Sequence, residues 1–139
     1  MLIEGGAALE TPGGSIGTPL DNAVGYGCWN VARLLVERGA RVDKLWHAAA
    51  LGMLDRIDQL LASTPAPADE EVNGAFWQAC HGGQRRAAER LLAAGADINA
   101  SPAYASGQTA LDQVLKPDTR RDLLAGWLRE HGATSLNPE

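Results

Sequence analysis

The feature that most constrains the fold of this chain is a short pattern that recurs along it, a leucine pair followed by a Gly-Ala pair. It reads LLVERGARVD over residues 34–43 and LLAAGADIN over residues 91–99. A Gly-Ala pair also closes the segments MLIEGGA, residues 1–7, and WLREHGA, residues 127–133. The four glycines lie 33, 56 and 37 residues apart, and the middle interval has room for one degenerate copy. A period of about 33 residues is the length of one supersecondary unit, so the pattern predicts a solenoid of stacked repeats.

The best-preserved copy, residues 17–43, predicts two helices joined by a tight turn. Thr18 is a good N-cap and Pro19 suits the first helical position, so a short helix is expected to begin there. The apolar face of that helix consists of Leu20, Ala23 and Val24. Glycines at positions 25 and 27 end it. A longer second helix is expected from near Trp29 to Gly39, because glycine can adopt the positive φ of a helix C-terminus.

These residues resemble the ankyrin repeat family. The family signature is Thr-Pro-Leu-His-x-Ala-Ala, a following glycine, a leucine pair and Gly-Ala. The first copy matches it at Thr18, Pro19, Leu20, Ala23, Gly27, Leu34, Leu35, Gly39 and Ala40, and three later copies keep parts of it. The resemblance implies an all-α, ankyrin-type helix–turn–helix solenoid with finger loops, forming one domain over residues 1–139. Its units are expected to be a half-repeat at 1–16 and repeats at 17–43, 44–72, 73–106 and 107–135.

The departures from the repeat pattern carry their own expectations. Too few residues separate Ala40 from Leu45 for a finger hairpin, so the first two repeats are expected to abut. The segment STPAPADEEVNG, residues 63–74, is rich in proline and acid and is expected to be irregular. The segment NASPAYASGQ, residues 99–108, is expected to form a long finger. The half-repeat is expected to cap the N-terminal edge poorly, leaving Leu20, Val31 and Leu35 without a complete neighbour.

Composition and charge exclude several classes of function. The net charge of −5 argues against a general binder of nucleic acid or of anionic membranes. No apolar run approaches the length that spans a bilayer, and the acidic first residues are not typical of a secretory signal. Two cysteines make a poor disulfide framework, so a reducing cytoplasm fits better. The chain is therefore expected to be cytoplasmic, with no nucleic-acid or membrane partner.

The resemblance implies that the inner helices and finger loops line a concave binding surface. Equivalent positions then form rows across the repeats: Asp21, Trp46, Trp77 and Asp112; Asn22, His47, Gln78 and Gln113; and Tyr26, Leu51 and His81, with Tyr104 in the long finger. Tryptophan and tyrosine are enriched at binding hot spots, so the two tryptophans are candidate anchors. The alternative is that both rings only pack between inner helices.

The residues that could carry chemistry do not form a recognisable site. His47 and His81 have no third ligand at zinc-binding spacing, so no metal and no cofactor are expected. Cys80 lies next to His81, but a nucleophilic pair needs an orienting base and an oxyanion hole, and neither is evident. Cys80 is more simply a small buried side chain. Arginines at 85–86 and 120–121 are expected to pair with nearby acids rather than bind phosphate.

The sequence thus predicts a non-catalytic module that binds a protein partner through its concave surface and fingers. The alternative is a small-molecule pocket or enzyme centred on Trp46, His47, Trp77 and His81. An enclosed cavity under the finger at 99–108 would favour that alternative, whereas an open groove would favour a protein partner. A third interpretation is a structural module of a larger assembly. Self-association is expected, if it occurs, at the N-terminal edge.

Overall fold

The computed structural model describes residues 19–40, 42, 44–102, 108–115 and 121–134. This part of the chain contains eight helices and no strand, so the chain is all-α, as the sequence predicts. The helices are α1 (Pro19–Gly25), α2 (Trp29–Glu37), α3 (Leu45–Leu51), α4 (Leu54–Leu61), α5 (Asp69–His81), α6 (Arg85–Ala93), α7 (Ala110–Val114) and α8 (Asp122–Glu130). None of the helices in these ranges is both long and apolar enough to cross a bilayer.

The helices pack in consecutive pairs, and the first helices of the pairs pack on one another. Each even-numbered helix contacts the odd-numbered helix before it: α1 with α2, α3 with α4, α5 with α6, and α7 with α8. The odd-numbered helices contact one another in chain order, α1 with α3, α3 with α5, and α5 with α7. Helix α5 therefore lies at the centre of the packing, with α3 on one side and α7 on the other.

The Gly-Ala pairs at 39–40, 95–96 and 132–133 end their helices in the same way. The backbone φ angles are 103° at Gly39, 105° at Gly95 and 94° at Gly132, values that residues with a Cβ rarely adopt. The following alanine N–H bonds to the carbonyl five residues back, from Ala40 to Leu35 at 2.9 Å and from Ala96 to Leu91 at 3.0 Å. The glycine N–H bonds three residues back. These are the two hydrogen bonds of a Schellman motif, so the pattern marks helix ends.

Small side chains let the odd-numbered helices approach closely. The side chains of Ala48, Ala49 and Ala50 in α3 are fully buried, as are those of Ala75 and Ala79 in α5. A Cβ added at Gly82, just after α5, would collide with the backbone oxygen of Ala50. The packing of α5 on α3 is thus set by backbone approach, and Phe76 supplies the largest fully buried side chain.

Helix α5 begins earlier than the sequence predicts. Residues 63–74 were expected to be irregular, but α5 already starts at Asp69. The prolines at 65 and 67 precede the helix, and its first turn holds Asp69, Glu70 and Glu71. Acidic side chains there are stabilised by the helix dipole, and a Glu71 carboxylate oxygen accepts a hydrogen bond from the Ala68 N–H at 3.5 Å. Only residues 63–68 of the segment are non-helical.

The expectations for the N-terminal edge are met in part. The half-repeat at 1–16, the predicted N-cap Thr18 and residues 103–107 of the finger at 99–108 lie outside the described residues. Leu20 and Leu35 are buried, so the expectation that they lack neighbours is wrong for these two. Val31 is 44% exposed, which agrees with the expectation for that residue.

Candidate binding groove

A groove of about 1220 Å³ runs along one side of the odd-numbered helices. It extends from the turn after α1, across the start of α3, to the inner face of α5, and residues 63–67 border it. Four aromatic side chains line it, those of Tyr26, Trp29, Trp46 and Trp77. Its polar side chains include Lys44, Ser63, Glu70, Glu71, Gln78, His81 and Gln113. We refer to this surface as the aromatic groove.

His81 lies at the centre of an aromatic cluster in the groove. The Trp29 ring meets the His81 ring edge to face, with centroids 5.2 Å apart and planes at 64°. The Trp77 ring is tilted by 32° against the His81 ring, with centroids 5.5 Å apart. The Gln113 Nε2 lies 2.8 Å from His81 Nδ1, and because an amide nitrogen only donates, Nδ1 accepts. This hydrogen bond joins the end of α5 to α7.

The tryptophans differ in how far they reach solvent. Trp77 is only 7% exposed, and its indole Nε1 donates to the backbone oxygen of Gln108 at 3.2 Å. Its ring is thus part of the core as well as a wall of the groove, as the packing interpretation expects. Trp29 and Trp46 are half-buried, and Tyr26 is 63% exposed. The aromatic side chains of the groove that reach solvent most are therefore those of Tyr26, Trp29 and Trp46.

A buried ion-pair network lies behind the groove. The Lys44 Nζ donates to both carboxylate oxygens of Asp21, at 2.7 and 2.8 Å, and the Nε2 of His47 lies 2.8 Å from Asp21 Oδ1. Asp21 and His47 are both buried. The network joins α1 to the start of α3. It also supports Trp46, whose ring centroid lies 4.3 Å from that of His47 and 6.0 Å from the Lys44 Nζ.

The side-chain amide of Gln78 lies in the wall of the groove. Gln78 is 4% exposed, and its Oε1 has no hydrogen-bond partner among the described residues. A buried polar oxygen without a partner costs about 1–3 kcal/mol relative to a bonded one. Such an atom in a native structure calls for an explanation, and in a groove wall the simplest is a ligand that donates to it.

The groove gathers half of the side chains that the sequence singled out. Tyr26, Trp46, Trp77, Gln78, His81 and Gln113 line it. Asp21, Asn22, His47, Leu51 and Asp112 do not; Asp21 and His47 form the network behind it. Asp112 caps α7, because its Oδ2 accepts from the Thr109 N–H at 3.0 Å and its own N–H bonds to Thr109 Oγ1. Tyr104 lies outside the described residues.

Other groove residues were not predicted. Trp29 begins an outer helix, yet its ring reaches His81 across the turn at 25–28. Lys44, Glu70, Glu71 and the 63–67 segment also line the groove. The Pro-Ala-Pro sequence at 65–67 is the feature that could have predicted a contribution of this segment, since connections between helices run over the protein surface.

The two cysteines lie in contrasting environments. Burial raises the pKa of the Cys80 thiol to about 12, so it is protonated at neutral pH and is a poor nucleophile. Cys28 is exposed and is also free. Within the described ranges no group of three or more His, Cys, Asp or Glu side chains converges as metal ligands would.

The outer surface carries a smaller arginine-lined hollow of about 500 Å³ beside α6. Of the four arginines that the sequence predicted to pair with acids, Arg85 contacts one here, whereas Arg120 lies outside the described residues. Arg85 lies 3.7 Å from Glu89, and Arg90 pairs with Asp58 of α4. These pairs are exposed and contribute little to stability, but they lower the positive potential that a phosphate site would need.

The fold and the groove define the chain as an all-α protein of packed helix pairs with an aromatic, partly acidic groove. No protein-family model matches it, and a search of curated proteins finds no match.

Proposed function

We propose that the chain is an ankyrin-type helix–turn–helix solenoid that binds a segment of a protein partner in the aromatic groove and has no catalytic activity. The pairing of each helix with the next and the row of odd-numbered helices support the solenoid. So does the Schellman ending at a Gly-Ala pair in three places. Repeat solenoids use the surface formed by their stacked inner helices to bind partners.

The observation that carries the binding proposal is the extent of the groove. At about 1220 Å³ it exceeds the roughly 300–1,000 Å³ of typical small-molecule pockets, and six of the eight described helices contribute residues to it. Its border includes residues 63–67, the connection between α4 and α5. Its exposed aromatic side chains are of the types that anchor protein interfaces.

The alternative function, a pocket or enzyme centred on Trp46, His47, Trp77 and His81, has less support. His47 is buried against Asp21, and Trp77 is committed to the core, so the four side chains do not converge on one open space. The two free cysteines fit a reducing compartment such as the cytoplasm.

The test is to place a photo-crosslinking amino acid in the groove, at Tyr26, and at the matched outer position Leu123. Leu123 lies on α8 and is 94% exposed. The groove position is expected to trap a protein partner in the native cell that the outer position does not trap. Trp46→Ala is then expected to weaken the purified complex by about 2 kcal/mol or more without changing helicity. Equal trapping at both positions, or unchanged affinity of Trp46→Ala, would refute groove binding.

A further inference from the structure

Building on the proposed function, we propose that the aromatic groove recognises an arginine side chain of the partner. The polarity of the groove leads to this proposal. Several of its donors are already engaged inside the protein. The Lys44 ammonium bonds to Asp21, the Trp77 indole N–H to Gln108 and the Gln113 amide to His81. The Ser63 hydroxyl donates to the Leu60 carbonyl at 2.7 Å.

The acceptors of the groove, by contrast, are less engaged. The carboxylates of Glu70 and Glu71 are exposed at its edge, at the start of α5, and only Glu71 accepts a hydrogen bond there, from the Ala68 N–H. The Gln78 Oε1 in its wall is buried and has no hydrogen-bond partner in the described part of the chain, so a ligand reaches it once the amide turns toward the groove. Both carboxylate oxygens of Asp21 accept from the Lys44 ammonium, and their negative charge offsets its positive charge. The groove therefore presents net negative charge and an amide oxygen, which select a cation with N–H donors.

The aromatic rings narrow the choice of cation. Tyr26, Trp29 and Trp46 offer π faces, and cations bind such faces, with arginine doing so more often than lysine. A guanidinium is planar, stacks on indole rings and carries five N–H donors in a fixed fork. It can stack on a ring and still donate both to a carboxylate and to the Gln78 oxygen. A quaternary ammonium has no N–H for that oxygen, and a lysine ammonium lacks the planar face.

The test uses random linear peptides displayed on phage and selected on the immobilised protein. The selected sequences are then synthesised with each arginine replaced by citrulline, which is nearly the same shape but uncharged, or by lysine. Binding is measured by isothermal titration calorimetry to the wild type, to Glu70→Gln/Glu71→Gln and to Gln78→Leu. The matched control is Glu37→Gln/Glu130→Gln, which removes two exposed carboxylates of α2 and α8 outside the groove.

The expected result is that the selected peptides contain arginine and that citrulline or lysine lowers their affinity about tenfold. The Glu70→Gln/Glu71→Gln variant is expected to bind about tenfold more weakly, whereas the control changes affinity by less than about twofold. Gln78→Leu is expected to bind more weakly while keeping or raising the melting temperature, because it removes an unbonded buried oxygen. If Gln78 had only a structural role, Gln78→Leu would change affinity and melting temperature in the same direction.

Three outcomes would overturn the proposal. Peptides that lose binding in Trp46→Ala but tolerate citrulline would show that the groove binds protein without reading arginine, so only this inference would fail. If no peptide is selected, or if binding ignores Trp46→Ala, the proposed function fails together with it. Sedimentation showing a dimer that Trp46→Ala dissociates would assign the groove to a second copy of the chain instead.

Discussion

At the residue scale, the most consequential side chain is Asp21. It accepts from Lys44 and contacts His47, so one buried carboxylate holds a cation at the groove edge and the imidazole behind Trp46. The two partners differ in burial. His47 is buried, whereas the Lys44 side chain is 48% exposed. Removing the carboxylate takes away a contact of the buried His47 imidazole. Removing the lysine takes away a contact made by a half-exposed side chain.

We therefore predict an unequal effect of two substitutions. Asp21→Ala is expected to lower the free energy of unfolding by about 3 kcal/mol, because it removes a buried carboxylate that contacts both an imidazole and an ammonium. Lys44→Ala is expected to cost about 1 kcal/mol or less, because solvent screens the half-exposed pair. Urea denaturation followed by circular dichroism measures both values. A larger loss of stability for Lys44→Ala than for Asp21→Ala would contradict this ranking.

The two thiols are predicted to react at very different rates. Cys28 is exposed, whereas burial raises the pKa of Cys80 from 9.0 to about 12. A disulfide reagent at pH 8 is expected to label one thiol in the folded protein and both in urea. Rapid labelling of Cys80 without denaturant would contradict its burial.

The same pKa shift predicts how stability depends on pH. Between pH 9.0 and 12 the unfolded state releases the Cys80 proton while the folded state retains it. The contribution of Cys80 to stability is therefore constant below that window and falls as pH rises through it. Cys80→Ala is expected to flatten this alkaline loss in denaturation curves measured between pH 8 and 10.5. An unchanged slope would contradict the assignment.

At the scale of the helices, three glycines differ in why the position suits glycine, as their φ angles and neighbouring atoms show. Gly95 has φ of 105° and nothing near its missing Cβ, so it is needed only for its conformation. Gly82 has an ordinary φ of −83°, but its missing Cβ faces the Ala50 oxygen, so it is needed for space. Gly126 lies within α8 with open space around it, so neither reason applies.

Alanine at these positions is predicted to give three different outcomes. Gly126→Ala is expected to stabilise the protein by about 0.5–1 kcal/mol, because alanine favours a helix interior. Gly95→Ala is expected to destabilise by about 1 kcal/mol through backbone strain. Gly82→Ala is expected to cost more, because α3 and α5 have to separate. Melting temperatures rank the three variants, and a neutral Gly82→Ala would contradict the close approach.

The helix ends show what the sequence can predict. The Gly-Ala pairs were readable because a Schellman ending depends on hydrogen bonds within a few residues. The early start of α5 was missed, although three acids in its first turn signalled it, because the flanking prolines suggested an irregular segment. The contact of Trp29 with His81 was not predictable, since it depends on how the turn at 25–28 lies against α5. The engagement of Asp21 with His47 and Lys44 likewise depends on packing across helices.

At the scale of the whole molecule, stability is expected to be highest at the centre of the stack. Helix α5 contacts α3, α6 and α7, whereas α1 contacts α2 and α3. Amide protons in α5 are thus predicted to exchange more slowly than those in α1, because local opening of α1 breaks fewer buried contacts. Hydrogen exchange with mass spectrometry compares the two helices in a monomeric sample. Equal protection would show that the N-terminal edge is well capped and would argue against self-association there.

The arrangement of the tryptophans gives the molecule an optical property. Of its four indoles, those of Trp29, Trp46 and Trp77 line the aromatic groove, and only Trp127 lies elsewhere. Three of the four ultraviolet emitters therefore lie in the groove, two of them beside the His81 imidazole. Whatever enters the groove changes the polarity around these emitters. The unlabelled protein thus contains its own fluorescent reporter of occupancy, and Trp127 provides an internal reference.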